Sequence, residues 1–531
     1  MTPSPAQVAR IEALFADWNA SDRPGAAVGV AQGGETLFRR GFGMASIEHG
    51  QPIGPDTAFR VASVTKQFCC LAVLMLARDG KLGLDDDVRR HWPALPRYGR
   101  TITIRQLMHN SSGLRDYMTM MPLCGYGFER TTAHGEIDQL IARQRALNFA
   151  PGTRFLYSNS NFVLLSRIVE KLSGKPLGAL LEERVFRPLG MTRTRLATDP
   201  WTVEPGLAAS HVRLADGRIV HPSIGTQMTG DAALISTVND LLRWADAFAR
   251  GPSALRRLTA ELATLEPFAN GTPNDYAFGL EAGRYRGLDT FGHGGLLPGY
   301  RTEIMRVPAA DLAVVVIANV DVIDPYVMAR RVMDVVLEGD PRLAAVPPMP
   351  RLTPFVGRWI DEGAGIVLTI SAARGVAKAE LFGAPMLLQP LPDGRLTVMR
   401  GAFALTLAFH GKGGDRRIEA DVGAGETLTF RPLPAFKPRA PRELVGRYRS
   451  EELDADWIVA SGKTGLAITV AGALSRRGPW PTVPIAPDLW EINTAPWPAT
   501  LFARPRRDRR GRVVGLTVRA ARVTALELTR V

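Results

Sequence analysis

The hydrophobic pattern divides the chain, and its first part mixes helical with strand-like spacing. Apolar residues recur with helical spacing in four stretches, residues 6–18, 67–78, 161–172 and 237–249. Runs typical of strands occur near both ends of this part, at residues 26–32, 36–43, 300–307 and 312–320. Strands at both ends with helices between them predict one sheet assembled from distant segments, together with a helical subdomain.

Two proline-rich stretches, residues 340–350 and 432–441, separate this first part from two further segments. Proline fixes φ and lacks a backbone donor, so such stretches are typical of linkers rather than of helix or strand interiors. A similar five-residue motif follows each linker. Phe-Val-Gly-Arg-Trp occurs at 355–359 and Leu-Val-Gly-Arg-Tyr at 444–448. The third segment is therefore predicted to repeat the second.

Short alternating segments broken by turn signals fill both copies of the repeat. This pattern is typical of antiparallel strands, and closing such a sheet into a barrel removes its exposed edges. We therefore predict an α+β fold, in which an antiparallel sheet with a helical subdomain precedes two antiparallel β-barrel domains. The predicted domains are residues 1–342, 343–436 and 437–531.

Composition places the chain among globular proteins. Of its 531 residues, 46% are hydrophobic and 22% charged, which excludes a disordered or fibrous chain. The longest apolar run, residues 68–77, is too short to span a bilayer, and the N-terminus lacks the pattern of a secretory signal. Cys69, Cys70 and Cys124 indicate neither a disulfide framework nor a zinc site. We expect no membrane association, no metal or organic cofactor, and a cytoplasmic location.

The formal net charge of +13 raises the question of nucleic-acid binding, because basic grooves neutralise phosphates. The densest basic cluster, residues 504–512, lies between two alternating segments and contains Gly511. Such a pattern is typical of an exposed hairpin loop. No aromatic and basic surface accompanies the cluster, so the sequence does not favour a nucleic-acid partner.

The sharpest local motif is Ser63-Val64-Thr65-Lys66. The apolar run after it predicts a buried helix, with Ser63 at the N-terminus and Lys66 one turn along on the same face. Burial and the helix dipole both disfavour an ammonium, so the pKa of Lys66 should be lowered and its amine could accept the Ser63 proton. A serine beside a base is an activated nucleophile. The alternative is a serine that caps the helix and a lysine that faces solvent.

A second cluster, Tyr157-Ser158-Asn159, follows a turn and precedes a predicted helix. A phenolate held between Lys66 and Ser63 could share a proton with either group. The Asn159 amide could hold Lys66 or a substrate carbonyl. A second interpretation, compatible with the first, is that Ser158 or Asn159 caps the following helix.

Two glycine-containing motifs are candidates for a third cluster. Lys-Thr-Gly at 463–465 matches a motif of penicillin-binding enzymes letter for letter, but it lies inside the second repeat, where we predict a hairpin loop. His-Gly-Gly at 293–295 lies in the first unit before a strand, and its glycines would let a substrate backbone approach closely. There we expect the backbone N–H groups of Ser63 and Leu296 to form an oxyanion hole.

In chain order, Ser-x-x-Lys at 63–66, Tyr-x-Asn at 157–159 and His-Gly-Gly at 293–295 resemble the serine β-lactamase and penicillin-binding superfamily. Within it the chain resembles the S12 peptidase and class C β-lactamase-like branch, which residues 109–114 (His-Asn-Ser-Ser-Gly-Leu) also resemble. A catalytic unit followed by two related barrels is similar to the bacterial D-aminopeptidases of this family. The resemblance implies a β-lactamase-like fold for the first domain.

The resemblance also implies roles for the motif residues. Ser63 would attack the scissile carbonyl, with Lys66 and Tyr157 as the proton-handling pair, and water would hydrolyse the acyl-enzyme. His293 would replace the lysine of penicillin-recognising relatives, which suits a substrate with a free amine. The implied substrates are amides, esters and short peptides with an N-terminal D-residue such as D-alanine. β-Lactams would act as inhibitors, and the protein would be a homodimer.

The last domain departs from the resemblance. In D-aminopeptidases, a loop of this domain places an acidic side chain against the substrate ammonium, but the comparable hairpin here, residues 493–499, contains no carboxylate. Asp488 and Glu491 lie just upstream, where they could equally face solvent. The predicted substrate-binding residues are Asn159, His293, Gly294, Gly295, Leu296, Asp488 and Glu491.

Two alternative functions stay open at this point. One is an esterase or D-peptidase of the same superfamily with a different acyl specificity. The other is a non-catalytic homologue that binds a ligand through its two barrels.

Overall fold

A computed structural model describes residues 4–373, 375–398, 404–436, 442–462, 465–473, 475–494 and 500–531 of the chain. The strands of its first part are β1 (Ala26–Gln32), β2 (Glu35–Phe42), β3 (Met44–Ser46), β4 (Gln51–Pro52), β5 (Phe59–Ala62), β6 (Arg195–Leu196), β7 (Val212–Arg213), β8 (Ile219–Val220), β9 (Leu234–Ser236), β10 (Glu281–Tyr285), β11 (Leu288–Leu297), β12 (Tyr300–Val307) and β13 (Leu312–Ala318).

The α-helices of the described residues all lie in this first part. They are α1 (Pro5–Leu14), α2 (Thr65–Arg78), α3 (Val88–His91), α4 (Ile104–Met108), α5 (Tyr117–Leu123), α6 (His134–Ala142), α7 (Asn159–Ser173), α8 (Leu177–Leu181), α9 (Val238–Arg250), α10 (Ser253–Leu262) and α11 (Pro325–Val336). Among the described residues, no helix combines the length and the apolar character that crossing a bilayer requires.

The main sheet joins the two ends of the first part. Its six strands are antiparallel and run in the order β10-β11-β12-β13-β1-β2. The pairing of β1 with β13 brings Ala26 opposite Ala318. This pairing confirms the prediction of one sheet built from distant segments. Val314 and Val316 pack toward α1 and α11, while Val315 and Ile317 join the core around α2, so β13 is buried on both faces.

Helix α2 runs through the centre of the larger core. Every residue from Thr65 to Leu76 is buried, because α2 contacts α7, α8 and α10. The Phe68 ring lies 4.4 Å from the Trp244 ring and 5.5 Å from the Phe186 ring, measured between centroids. The unbroken apolar run of the sequence is therefore the signature of a helix enclosed on all sides.

Two closed antiparallel barrels follow, as predicted. The first consists of β14 (Gly357–Asp361), β15 (Ile366–Ala373), β16 (Val376–Leu381), β17 (Ala384–Pro390), β18 (Leu396–Val398), β19 (Thr406–His410), β20 (Arg417–Asp421) and β21 (Thr427–Pro432). The second consists of β22 (Gly446–Ser450), β23 (Ala455–Ser461), β24 (Leu466–Gly472), β25 (Arg476–Ala486), β26 (Leu489–Asn493), β27 (Thr500–Arg507), β28 (Val513–Ala520) and β29 (Val523–Arg530).

The repeated five-residue motif makes an equivalent hydrogen bond in both barrels. In the first, the Trp359 indole N–H donates to the Phe355 carbonyl at 2.8 Å. In the second, the Tyr448 hydroxyl donates to the Leu444 carbonyl, also at 2.8 Å. Each aromatic ring is buried while its polar atom is bonded, which is how buried Trp and Tyr are accommodated.

The second barrel packs directly against the first part of the chain. Trp457 donates its indole N–H to the Leu123 carbonyl at 3.1 Å, and Ser475 donates its hydroxyl to the Gly125 carbonyl at 2.6 Å. A buried ion pair joins Arg115, just before α5, to Glu452 between β22 and β23. One hydrophobic cluster continues across this contact, so the second barrel is anchored beside the helices that carry the predicted motifs.

Both predicted hairpin loops of the second barrel agree with the strand pairing. The basic cluster joins β27 to β28, and the Asp508 N–H donates to the Arg512 carbonyl at 2.9 Å across the turn. Of the Lys-Thr-Gly motif, residues 463 and 464 lie outside the described part of the chain. The flanking strands β23 and β24 pair as a hairpin, in which the Gly462 N–H donates to the Gly465 carbonyl at 2.6 Å.

Candidate active site

Ser63 lies in the tight connection between β5 and α2. The residue before it, Ala62, has a φ of 50°, a left-handed backbone conformation that is uncommon for a residue with a side chain. Thr65 fixes this turn, since its hydroxyl donates to the Ala62 carbonyl at 2.5 Å and accepts the Leu234 N–H at 2.9 Å. The strained connection holds a half-buried Ser63 at the N-terminal end of α2.

Lys66 is fully buried, and its amine faces Ser63. The Nζ atom lies 3.0 Å from Ser63 Oγ, 2.8 Å from Asn159 Oδ1 and 2.6 Å from the Asp231 carbonyl oxygen. Burial lowers its pKa from 10.5 to about 7, Asp231 acts in the opposite direction, and the cation of Arg522 lowers it further. The alternative of a solvent-facing lysine is therefore wrong, and the amine is placed to take a proton from Ser63.

The Tyr157 ring lies against the same amine. Lys66 Nζ is 4.8 Å from the Tyr157 ring centroid, and the centroid of the His293 ring is 6.0 Å from the same point. Tyr157 itself is largely buried. The predicted meeting of Ser63, Lys66 and Tyr157 in one cluster is thus present, while a proton-handling role for the Tyr157 hydroxyl stays a prediction.

Asn159 is oriented by a buried carboxylate that sequence reasoning did not single out. Its backbone N–H and its side-chain Nδ2 donate to Asp116 Oδ1 at 2.7 and 2.8 Å. The amide oxygen is thereby directed at Lys66, so of the two predicted partners Asn159 holds the lysine. Ser158 stands at the N-terminal boundary of α7, but its side chain makes no capping bond. Capping therefore does not explain this motif.

His293 forms an aromatic cluster with Tyr276 and Tyr157, whose ring centroids lie 5.8 and 6.0 Å from its own. Its Nδ1 is 2.7 Å from the Gly294 carbonyl oxygen and therefore donates, whereas its Nε2 is 3.0 Å from the Tyr276 hydroxyl and accepts. The Glu281 carboxylate lies 3.9 Å from Nε2. His293 is thus a buried side chain whose tautomer is fixed by its neighbours.

Gly295 permits a close approach of strands rather than of substrate. A Cβ atom on this residue would lie 2.1 Å from the Val61 carbonyl oxygen, so only glycine lets β11 run beside the strand that leads to Ser63. Leu296, the next residue, has an exposed side chain. An oxyanion hole formed by the backbone N–H groups of Ser63 and Leu296 stays a prediction.

Comparison with known proteins places this geometry in a family. The family model described as Beta-lactamase matches residues 11–338. A D-aminopeptidase of Gluconobacter oxydans is 32% identical over 440 residues, covering 81% of this chain and 80% of its own. One of Cereibacter sphaeroides is 30% identical over 504 residues, covering 93% of each. The chain belongs to the β-lactamase family, in its D-aminopeptidase group. The octameric penicillin-binding protein homologue from Pyrococcus abyssi shares the fold, with a TM-score of 0.57, 22% identity, and coverage of 80% of this chain and all of that one.

In this member of the β-lactamase family, the segment at 109–114 supports the loop that carries Tyr157. Asn110 Oδ1 accepts the Ser158 N–H at 3.1 Å and an amide hydrogen of Asn161 at 2.8 Å. The Asn110 carbonyl accepts the N–H of the residue before Tyr157 at 3.1 Å. The segment therefore acts by positioning the loop rather than by contacting a substrate.

Asp488 and Glu491 are engaged in ion pairs of the barrels. Asp488 accepts from Arg507 at 2.9 Å, and Glu491 pairs with Arg358 of the first barrel. The expectation that either carboxylate contacts substrate is therefore not supported, because each already neutralises an arginine of a barrel. The hairpin next to them contains residues 495–499, which lie outside the described part of the chain.

The second barrel instead contributes a cation. Arg522 lies in the turn between β28 and β29; its guanidinium is 4.8 Å from the Tyr157 ring centroid and 3.4 Å from Asp116 Oδ2. Asn148 holds the turn, since its Nδ2 donates to the Arg522 carbonyl at 3.0 Å. A basic residue of the last domain therefore reaches the cluster around Lys66, where the family resemblance led us to expect an acidic one.

Four residues of this site were missed by sequence reasoning. They are Asp116, Asp231, Tyr276 and Arg522. Only Asp116 left a signal, since it closely follows the 109–114 segment that resembles the family. Among the described residues, the one cluster of side chains that could hold a metal ion, Glu48 with two histidines, shares no residue with this site.

Proposed function

We propose that this protein is a D-stereospecific aminopeptidase or amidase that releases N-terminal D-amino acids, of the D-alanine type, from short peptides, amides and esters. The observation that carries the proposal is the buried amine of Lys66, 3.0 Å from Ser63 Oγ and with a pKa of about 7. Together with D-aminopeptidase relatives that match most of the chain, it supports an activated serine nucleophile.

Acylation begins when neutral Lys66 takes the proton of Ser63 as Oγ attacks the substrate carbonyl carbon. The tetrahedral intermediate then collapses, its carbon–nitrogen bond breaks, and the leaving amine takes up the proton from Lys66, directly or through the Tyr157 hydroxyl. An ester between Ser63 and the D-aminoacyl group remains. Water attacks this ester while Lys66 accepts the water proton, and return of that proton to Ser63 Oγ releases the acid.

The remaining predicted site residues are assigned supporting roles. Backbone N–H groups of Ser63 and Leu296 would stabilise the oxyanion. The Asn159 amide oxygen accepts a hydrogen bond from Lys66 and holds its amine beside Ser63. His293, with the backbone at Gly294, would form a side of the substrate pocket that has no lysine. Substitution Tyr157→Phe should lower kcat more than it changes KM, because it removes a proton path without removing the ring.

A substrate panel tests the proposal. Rates are compared for D-alaninamide and L-alaninamide, each with a free or an N-acetylated amine. A D-aminopeptidase hydrolyses the free D-amide fastest. Ser63→Ala should abolish turnover and acyl-enzyme formation, seen by mass spectrometry, while the exposed Ser253→Ala serves as the matched control. Retained hydrolysis in Ser63→Ala would reject the mechanism.

A second candidate function is favoured by Arg522. Its cation near Tyr157 disfavours a substrate ammonium, so the pocket would prefer esters or amides without a free amine. Faster hydrolysis of p-nitrophenyl acetate or of the N-acetylated amides than of free D-alaninamide would support this esterase-like specificity. An unreactive Ser63 toward a fluorophosphonate probe would support the non-catalytic homologue instead.

Peptides and amides are the substrates that the family relationship supports. Inhibition by β-lactams is a further proposal, and loss of D-alanine p-nitroanilide hydrolysis after incubation with ampicillin tests it. A homodimer is likewise a proposal, which light scattering of the purified protein tests. The cytoplasmic location stays a prediction from the sequence.

A further inference from the structure

Three side chains of metal-ligand type, two from one hairpin and one from a distant turn, meet away from Ser63. Glu48 lies in the turn between β3 and β4, His211 directly precedes β7, and His221 directly follows β8. One ligand atom from each lies within 4.8 Å of the other two. The two imidazole rings are 4.8 Å apart between centroids, and His221 Nε2 is 2.5 Å from a Glu48 oxygen.

The hydrogen bonds of His211 leave its Nε2 lone pair unused. Nδ1 lies 3.1 Å from the Asn319 carbonyl oxygen. A carbonyl oxygen only accepts, so Nδ1 of His211 is the donor in this contact. The Asn319 amide nitrogen does not donate to Nδ1 instead, because its two hydrogens go to the carbonyls of Met44 and Ala209, at 3.0 and 2.9 Å. Nε2 is then an unprotonated acceptor, and it has no hydrogen-bond partner among the described residues. His211 is only 2% exposed, so water does not readily satisfy this atom.

His221 resembles His211 in the contact of its Nδ1. Its Nδ1 lies 2.8 Å from the Ser210 carbonyl oxygen, which makes Nδ1 the donor and leaves Nε2 facing Glu48. A histidine that binds a metal usually donates its other ring N–H to a carbonyl or carboxylate, because this bond fixes the tautomer and the ring orientation. His211 therefore presents an unprotonated Nε2 to an incoming ion, whereas His221 Nε2 donates to Glu48 and would release its proton when the ion binds.

We propose that Glu48, His211 and His221 form a zinc site. Two imidazoles and one carboxylate are a donor set that suits zinc, with bond lengths of about 2.0–2.2 Å. The side chains of Glu48 and His221 are 54% and 50% exposed, so both can adjust around an ion and leave its fourth position open to water. The sequence did not reveal the site, because Glu48 lies far along the chain from the two histidines.

The position of the site indicates a structural role. Strands β7 and β8 have two residues each, a hairpin too short to be stable by its own pairing. A zinc ion would link this hairpin to the turn between β3 and β4. The backbone next to His211 is also linked to the main sheet, since the Tyr300 hydroxyl donates to the Ala208 carbonyl. Zinc should therefore raise thermal stability, whether or not the proposed hydrolase activity is correct.

The test compares zinc binding in the full-length protein and in variants. After treatment with a chelator and its removal, ZnCl2 is titrated by calorimetry, and the melting temperature is measured with and without the ion. The wild type should bind one zinc per chain and melt at a higher temperature with it. His221→Gln, at the exposed side of the site, should weaken zinc binding at least tenfold, and Glu48→Gln should do the same.

A matched control is provided by His410, another partly exposed histidine, 3.3 Å from the carboxylate of Glu419 but in no three-ligand cluster of the described chain. His410→Gln should bind zinc as the wild type does. Binding of CoCl2 provides a second readout, because a cobalt ion with four ligands absorbs visible light more strongly than the free hydrated ion. Equal zinc affinity in His221→Gln and the wild type, or no stoichiometric binding by a folded wild type, would overturn the proposal.

Discussion

The buried amine of Lys66 is expected to set the pH at which Ser63 becomes acylated. Burial lowers its pKa from 10.5 to about 7, and this lowering corresponds to roughly 5 kcal/mol against the ammonium form. The neutral amine, which alone can accept the Ser63 proton, is then present in about half of the molecules at pH 7 and about a tenth at pH 6. Acylation should therefore slow about tenfold for each pH unit below that range.

The assay is the pH dependence of kcat/KM between pH 5 and pH 9, with a chromogenic D-alanyl ester or anilide. The rate should rise with an apparent pKa near 7 and become constant above pH 8. Circular dichroism at each pH serves as the control, because it separates loss of the proton acceptor from loss of the fold. A rate that is constant from pH 5.5 to 8.5, or one that shows no levelling between pH 8 and pH 9, would refute a catalytic role for a Lys66 amine with a lowered pKa.

The same site predicts how a substitution moves this profile. The cation of Arg522 lowers the pKa of Lys66, so Arg522→Gln should raise that pKa and shift the rise in kcat/KM to higher pH. Arg510→Gln, on the exposed hairpin of the same barrel, is the matched control and should leave the profile unchanged. An unshifted profile in Arg522→Gln would mean that the Arg522 charge does not affect the pKa of Lys66.

The lowered pKa also predicts the pH dependence of stability. Between about pH 7 and 10.5 the unfolded chain binds the proton that folded Lys66 has given up, so the free energy of unfolding should rise with pH in this window. Below pH 7 both states hold the proton, and the contribution is a constant penalty. Urea unfolding of the wild type and of Lys66→Met across this window measures the slope, which the variant should lack.

Two further substitutions test packing. Gly295→Ala places a Cβ 2.1 Å from the Val61 carbonyl oxygen, so it should lower both the melting temperature and the acylation rate, whereas Gly54→Ala, with open space around its Cβ, should change neither. Glu452→Ala leaves the buried Arg115 guanidinium without its carboxylate, and urea unfolding should show a loss of about 3–5 kcal/mol. Replacing both members of the pair by methionine should recover much of that loss, and a single-variant cost below about 1 kcal/mol would contradict the reasoning.

The parts of the fold that the sequence predicted are those encoded by local pattern. Strands at 26–32 and 300–307 agree to the residue, since their apolar runs have clear ends. The barrels were predictable because alternation and turn signals recur after each linker. Helices such as α5 were not, because it is short, contains Pro122 and is buried on all sides, which leaves no 3.6-residue period to detect.

The contacts of the site likewise divide into those that local sequence predicts and those that depend on the tertiary structure. Ser63 and Lys66 are three residues apart at a helix start, so their contact follows from helix geometry alone. Tyr157 and Asn159 could be placed beside them only through the family resemblance. Asp231 could not be placed at all, because its backbone carbonyl, an atom common to every residue, is what accepts the lysine hydrogen bond.

The last barrel shows why the ion pairs of Asp488 and Glu491 were not predicted and why a basic residue was overlooked. An alternating strand defines two faces, but the sequence does not say which face meets a neighbouring domain, so Glu491 could not be assigned to Arg358 beforehand. Arg522 is one of many arginines, and it gains its place only because Asn148 fixes the turn between β28 and β29. The charge beside Tyr157 is therefore decided by docking of the barrel. If the proposed mechanism is correct, a change in this turn should alter which substrate charge the site accepts while Ser63 and Lys66 keep their positions.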